Sequence, residues 1–176
     1  EIANGGQVSI INRLDRETSG VTLIAKTHEA ARRFGLAMQN RLFQKTYLAW
    51  TSGSPAWETA ECTEPMLRQN EVEDTDIYVK QIIHPRGAPC RTSFRVLQRT
   101  QAAFGPVTLI EAKPVTGRMH QIRVHLSHLG CPIVGDKIYG PSDRCYLEFI
   151  ETGWPPALEG RFHLPRQALH AWKLAF

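Results

Sequence analysis

Between Lys45 and Val115 the chain reads as a succession of short strands broken by turn chemistry. Lys45–Trp50, Tyr78–Ile83, Arg91–Arg99 and Val107–Val115 are rich in β-branched and aromatic residues. His84-Pro85-Arg86-Gly87 and Phe104-Gly105-Pro106 separate the last three. The strands outnumber the helices and cluster in antiparallel-looking runs. A further strand is predicted over residues 21–26, and a final one where His170, Trp172, Leu174 and Phe176 alternate. Two helices are predicted. Thr27 is an N-cap with Glu29 in the first turn, and Ala30, Phe34, Ala37, Met38 and Leu42 fall at helical spacing over residues 28–42. Thr116-Gly117 opens the second helix, Met119, Ile122, Leu126 and Leu129 line one face, and Gly130 with Pro132 closes it. The fold class is therefore α+β, a mixed, mainly antiparallel sheet with flanking helices. Residues 51–76 read as an irregular acidic loop and residues 131–139 as a short extended piece. The Pro- and Gly-rich stretch 153–165 reads as a connection. No repeat or linker divides the chain, so a single domain is expected over residues 1–176.

The net charge of +4 hides a polarised surface. Seven acids face one base, Arg68, between Glu58 and Asp76, so that segment carries −6 and the remaining residues +10. A basic body with a segregated acidic stretch suits a polyanionic partner, since neutralised phosphates supply most non-specific nucleic-acid affinity. With 42% hydrophobic and 22% charged residues, a disordered chain is excluded. No apolar run reaches the length of a membrane-spanning helix. Cys62, Cys90, Cys131 and Cys145 contain no C-x-x-C pair, which argues for reduced thiols rather than a zinc ribbon or a disulfide scaffold. With no leader-like segment visible, the expected compartment is the cytoplasm.

Three stretches carry candidate chemistry. In Asn12-Arg13-Leu14-Asp15-Arg16-Glu17-Thr18-Ser19-Gly20, one carboxylate lies between two guanidiniums beside a turn, and flanking positive charge favours its ionised form. In Lys45-x-Tyr47-x-Ala49, alternate strand residues share a face. On that pattern alone, Tyr47 is a half-buried sheet aromatic. The third stretch runs from Val115-Thr116-Gly117-Arg118-Met119-His120-Gln121-Ile122-Arg123-Val124-His125 to Gly130-Cys131-Pro132-Ile133-Val134-Gly135-Asp136 and Tyr139-Gly140. Arg123 lies just off the apolar stripe, so its stem can be buried while its guanidinium reaches a cleft. His120, His125 and His128 fall on scattered helix faces, so no metal is expected. Ser19 lacks the G-x-S-x-G turn of a hydrolase nucleophile.

In this order the three stretches resemble the signatures of the RluA-type pseudouridine synthases: His-Arg-Leu-Asp-x-x-Thr-Ser-Gly, Lys-x-Tyr-x-Ala and Thr-Gly-Arg-x-His-Gln-Ile-Arg-x-His. Asn12 stands where the family has His. Fainter matches cover Arg91–Leu97, with Cys90 in an Ala position, and Leu164–Ala171. The resemblance implies a catalytic domain of that family's type, in which Asp15 reacts with a uridine in RNA and Arg123 forms an ion pair with Asp15. It implies that Tyr47 stacks on the base and takes part in proton abstraction, and that Arg13 fills the vacated stack. Lys45, Arg118 and His120 are the implied RNA contacts. No cofactor is implied, because uracil is both leaving group and returning nucleophile. The implied partner is ribosomal or transfer RNA, met by a monomer with no membrane. Whether Asp15 attacks the ring or the sugar stays open. The chain begins at Glu1 and shows no Asn-Lys-Pro-x-Gly motif, so it is expected to lack an N-terminal strand segment and any S4-like RNA-binding domain. The rival readings are a non-catalytic RNA-binding module on the same scaffold and, more remotely, a nucleotide hydrolase.

Overall fold

A computed structural model describes residues 8–176, so the first seven residues of the expected domain lie outside the described ones. The chain runs β1 (Ser9–Ile10), β2 (Ser19–Gly20), β3 (Ile24–Ala25), α1 (His28–Gln39), β4 (Gln44–Ser52), β5 (Thr59–Cys62) and β6 (Met66–Arg68). It continues through β7 (Gln81–Ile83), β8 (Thr92–Ala102), β9 (Gly105–Pro114), α2 (Gln121–His128), α3 (Asp143–Thr152), α4 (Pro156–Phe162) and β10 (Leu169–Ala175). The main sheet has the order β2-β10-β4-β9-β8-β5. Every pair in it is antiparallel except β2 with β10, so the expected α+β class with a mixed, mainly antiparallel sheet is what forms. None of the described helices is long and apolar enough to cross a membrane.

The core lies where α2 crosses the sheet. Ala49, Phe94, Ile110, Ala112 and Leu169 from the strands meet Ile122 and Leu126 of the helix. On its opposite side, Val124 joins Met66, Ile77, Ile138 and Tyr139 in a second apolar cluster. Every residue from Gln121 to Leu126 is buried, so α2 is an interior helix rather than a surface one. That position is what carries Arg123 into the interior. Helix α1 starts where the sequence places it, with Thr27 Oγ1 accepting the Ala30 N–H at 3.1 Å. It ends earlier, at Gln39, and packs on the sheet's end through Phe34, 5.7 Å from Phe176 ring to ring.

Several expectations are corrected. The acidic stretch 51–76 is not an irregular loop: it holds β5, β6 and a single 3-10 turn at Gln69–Glu71. Two of its seven acids are ion-paired across the sheet edge, Glu61 with Arg91 at 2.7 Å and Glu58 with Arg99 at 2.6 Å, and cross-strand pairing turns part of what reads as a solvated charge run into an edge strand. The Pro- and Gly-rich stretch 153–165 contains α4, and α3 precedes it with no sequence expectation behind it. There the breakers mark helix boundaries, with Ser142 as N-cap of α3, Gly153 in a positive-φ C-cap, and Pro at the first turn of α4. The strand expected over 21–26 is reduced to β3, which pairs with β1 in a separate two-stranded ribbon, and that over 78–83 to β7.

Candidate active site

The loop from Ile11 to Leu23 presents Asp15. Asn12 closes its base, the side-chain amide donating to Val21 O at 3.2 Å and its oxygen accepting the Leu23 N–H at 2.7 Å. The Thr18 N–H returns to Asp15 O at 3.0 Å, a turn for which Asp is a favoured first residue. Beyond the turn the loop is tied to the last strand and its approach. Gln167 donates to Thr18 Oγ1 at 2.6 Å, and Ser19 Oγ meets Arg166 at 3.1 Å and His170 Nδ1 at 2.8 Å. Gly20 is required here, since a Cβ at φ 122° would lie 2.1 Å from Ala171 O. Buried Lys137 adds a 2.6 Å ion pair to Glu17.

Arg123 meets Asp15 at 3.2 Å, through a single Nη1–Oδ2 contact. Its strong partner is Asp136, whose two oxygens take Nε at 2.6 Å and Nη2 at 2.8 Å in a fork-to-fork arrangement. Asp136 Oδ1 also accepts the N–H groups of Ile138 and Tyr139, both at 3.0 Å. Burial works against the Arg123 charge, but the Asp136 hydrogen bonds overcome it and hold the guanidinium pKa above its ordinary value. A buried guanidinium with five donors needs more than one half-exposed carboxylate, and that need is the signal in the sequence for a second acid. Asp136 supplies it from the tight turn between Gly135, at φ 77°, and Gly140, whose Cβ would meet Asp136 O at 2.1 Å.

His120 caps α2 in the left-handed region at φ 57°, a costly conformation for a non-glycine residue. Its Nε2 stands 4.0 Å from Asp15 Oδ2 and its Nδ1 lies 2.8 Å from the Tyr139 hydroxyl. That hydroxyl also accepts the Gln81 N–H at 2.9 Å, which fixes Tyr139 beside the imidazole. Burial and the Arg123 charge depress the His120 pKa to about 4, against a partial counter-effect from Asp15 and Asp136.

Tyr47 lines the same cleft, and burial followed by the nearby Asp15 charge raises its phenol above the ordinary tyrosine value. Lys45 donates to Thr116 O at 3.4 Å, and burial together with the Arg41 guanidinium lowers its ammonium pKa. The loop above it is pinned by Gln121, whose amide oxygen takes Thr116 Oγ1 at 2.7 Å and the Arg118 N–H at 3.0 Å. The cleft has a volume of about 650 Å³, ample for one nucleotide. All seven residues singled out from the sequence line it: Asp15, Tyr47 and Arg123 within, His120 beside Asp15, and Arg13, Lys45 and Arg118 around the opening. His125 turns away, fully buried against Thr92 Oγ1 at 3.0 Å and Cys90 Sγ at 3.3 Å, so it contacts no phosphate. Sequence reasoning missed Asp136, Tyr139 and Arg41.

A family model described as RNA pseudouridylate synthase matches residues 1–128. An uncharacterized RNA pseudouridine synthase of Chloroflexus aurantiacus is 39% identical over 97% of this chain and 46% of its own length. Ribosomal large subunit pseudouridine synthase C of Vibrio cholerae is 37% identical over 96% of this chain and 47% of its own. The chain thus spans about half the length of these curated relatives. Among solved structures, human RNA Pseudouridylate Synthase Domain Containing 1 superposes with a TM-score of 0.77 at 30% identity, covering 96% of this chain and 63% of that one.

Proposed function

The chain belongs to the RNA pseudouridylate synthase family, and we propose that it isomerises a uridine within an RNA to pseudouridine, with Asp15 as the reacting carboxylate. The observation that carries this reading is the Asp15 carboxylate held at 3.2 Å by Arg123 inside a cleft sized for one nucleotide. The reaction breaks the bond from C1′ to N1, turns the base and joins C5 to C1′. The C5 proton leaves and N1 gains one, so no cofactor or co-substrate is consumed. Those atoms are out of reach in a stacked helix, and extruding the nucleotide costs a few kcal/mol.

The roles follow from the surroundings. Asp15 has one oxygen engaged by Arg123 and keeps lone pairs free for the substrate. Tyr47 holds its proton at neutral pH, so it packs against the base and donates a hydrogen bond rather than serving as the resting base for C5. Arg13, exposed at the cleft rim, fills the gap left in the stack. Lys45 and Arg118 hold phosphates, which position RNA without reading its sequence. His120 lines the cleft 4.0 Å from Asp15 and contacts the substrate beside the reacting carboxylate. The name of the Vibrio relative makes large-subunit ribosomal RNA the first substrate to try.

Tritium release from RNA labelled at uridine C5 tests the reading. The wild-type protein should release tritium, and Asp15→Asn should bind RNA without releasing any. Release by that variant at the wild-type rate would remove Asp15 from the mechanism. Asn12, the departure that prompted the non-catalytic alternative, clips the loop at both ends and so gives no ground for preferring it. RNA binding by the wild type without release would restore that alternative.

A further inference from the structure

Beside the catalytic cleft lies a second groove of about 440 Å³, and Arg118 with Met119 lines both. Its far wall is β6 and the turn after β7, which bring Arg68 and Arg86 to face Arg118. The turn is rigid. Met66 and Ala88 exchange backbone hydrogen bonds at 3.1 and 2.7 Å, the Gly87 N–H returns to His84 O at 2.8 Å, and His84 Nδ1 accepts the Arg86 N–H at 3.1 Å. A Cβ on Gly87 would lie 2.5 Å from the Met66 backbone. The exposed Arg86 side chain therefore projects from a backbone fixed in advance, and little order has to be gained when it binds.

Charge and shape together point to a ligand, because unpaired arginines occur elsewhere on the described chain but these three converge on one groove. Away from this face, Arg91, Arg95, Arg99 and Arg161 are each tied to a glutamate. Arg68, Arg86 and Arg118 form no ion pair among the described residues. Glu71, the carboxylate lining the groove, accepts the Arg68 backbone N–H at 3.1 Å. Three guanidiniums facing one groove repel one another until an anion enters, and a groove continuous with a nucleotide cleft meets the next phosphates of the same strand.

We propose that this groove, walled by Arg68, Arg86 and Arg118, seats the backbone phosphates of the RNA strand adjoining the target uridine. The proposal rests on the reading of the cleft as a uridine site and extends it by a track of a few nucleotides. Arg68 and Arg86 are its positioning residues; neither reaches the catalytic cleft.

The test compares wild type with R68Q/R86Q on a single-stranded RNA of about twenty nucleotides containing the target, with binding measured across a range of KCl. Losing both contacts should flatten the slope of log K against log [KCl] by about 1.4, at roughly 0.7 per phosphate on a single strand. KM should rise while kcat holds, and R68K/R86K should restore the wild-type slope. An unchanged slope and KM in R68Q/R86Q would overturn the proposal while leaving pseudouridine formation by the wild type intact. Conversely, a flattened slope with no pseudouridine from the wild type would keep the groove and remove the catalytic reading. A variant that loses polyglutamate binding but keeps RNA binding would mark a site for an acidic protein and overturn the proposal too.

Discussion

Arg123 faces two different regions, the packed interior behind α2 and the open cleft in front of it. On the inner side Asp136, with no side-chain exposure, satisfies two guanidinium nitrogens and two backbone N–H groups. On the cleft side Asp15, its side chain 30% exposed, takes one contact at 3.2 Å. The same residue type does opposite work in the two places. A carboxylate whose lone pairs are all engaged is a structural anion. One held at a single oxygen beside water keeps the capacity to react. The interior pair fixes the guanidinium, and the fixed guanidinium then holds Asp15, the acid proposed to react, without saturating it.

The contrast can be broken most directly by exchanging charge for amide on each side. Asp15→Asn is expected to take pseudouridine formation below detection, read by tritium release, while RNA binding stays near wild type. The fold should barely notice, with a loss of about 1 kcal/mol or less for a partly exposed pair. Asp136→Asn should instead cost about 3 kcal/mol in urea denaturation, because it leaves a buried guanidinium short of a partner. Equal stability losses in the two variants would erase the asymmetry.

His120 sharpens the same contrast by titration. Its pKa, near 4 by its surroundings, should be visible in the imidazole NMR signals, and Asp15→Asn should lower it further by removing an anion that favours the charged ring. An unfolded histidine protonates near 6.5, so the neutral native ring contributes stability above that pH. The contribution is lost as pH falls from 6.5 towards 4, by up to about 3 kcal/mol. His120→Gln should remove this part of the acid-side slope, and an identical pH profile in both proteins would contradict the assignment. The smallest effect is expected at Tyr47. Its phenol should titrate at lower pH in Asp15→Asn than in wild type, because the carboxylate adds to burial in raising it. An unmoved ultraviolet titration would place Asp15 outside the reach of Tyr47.

The sequence made the Asp15–Arg123 contact legible because both residues stand in long, ordered motifs, and the α2 stripe explains how an arginine stem is buried there. Asp136 stood in the same strings, yet its role depends on a turn that folds thirteen residues of chain back onto the helix, which periodicity does not report. The acidic segment misled because a run of carboxylates looks solvated until Arg99 of β8 and Arg91 just before that strand come to lie opposite two of them. Around α3 and α4, proline and glycine were read as breakers, when they punctuate the helix ends. Arg41 had no signal beyond its charge, because its positive φ of 57° is set by how α1 ends.

The parallel pairing of β2 with β10 has a consequence for biosynthesis. Ser19 and Gly20 hydrogen-bond to a strand made about 150 residues later, and Gln167 and Arg166 reach the same loop from just before that strand. A growing polypeptide on the ribosome can bring Arg123 and Lys137 against the Asp15 loop, but the ties from residues 166–171 form only once those residues have emerged from the exit tunnel. Partial translation products can fold the β8–β9 hairpin, whose partners are neighbours in sequence, before the Asp15 loop is fully fastened.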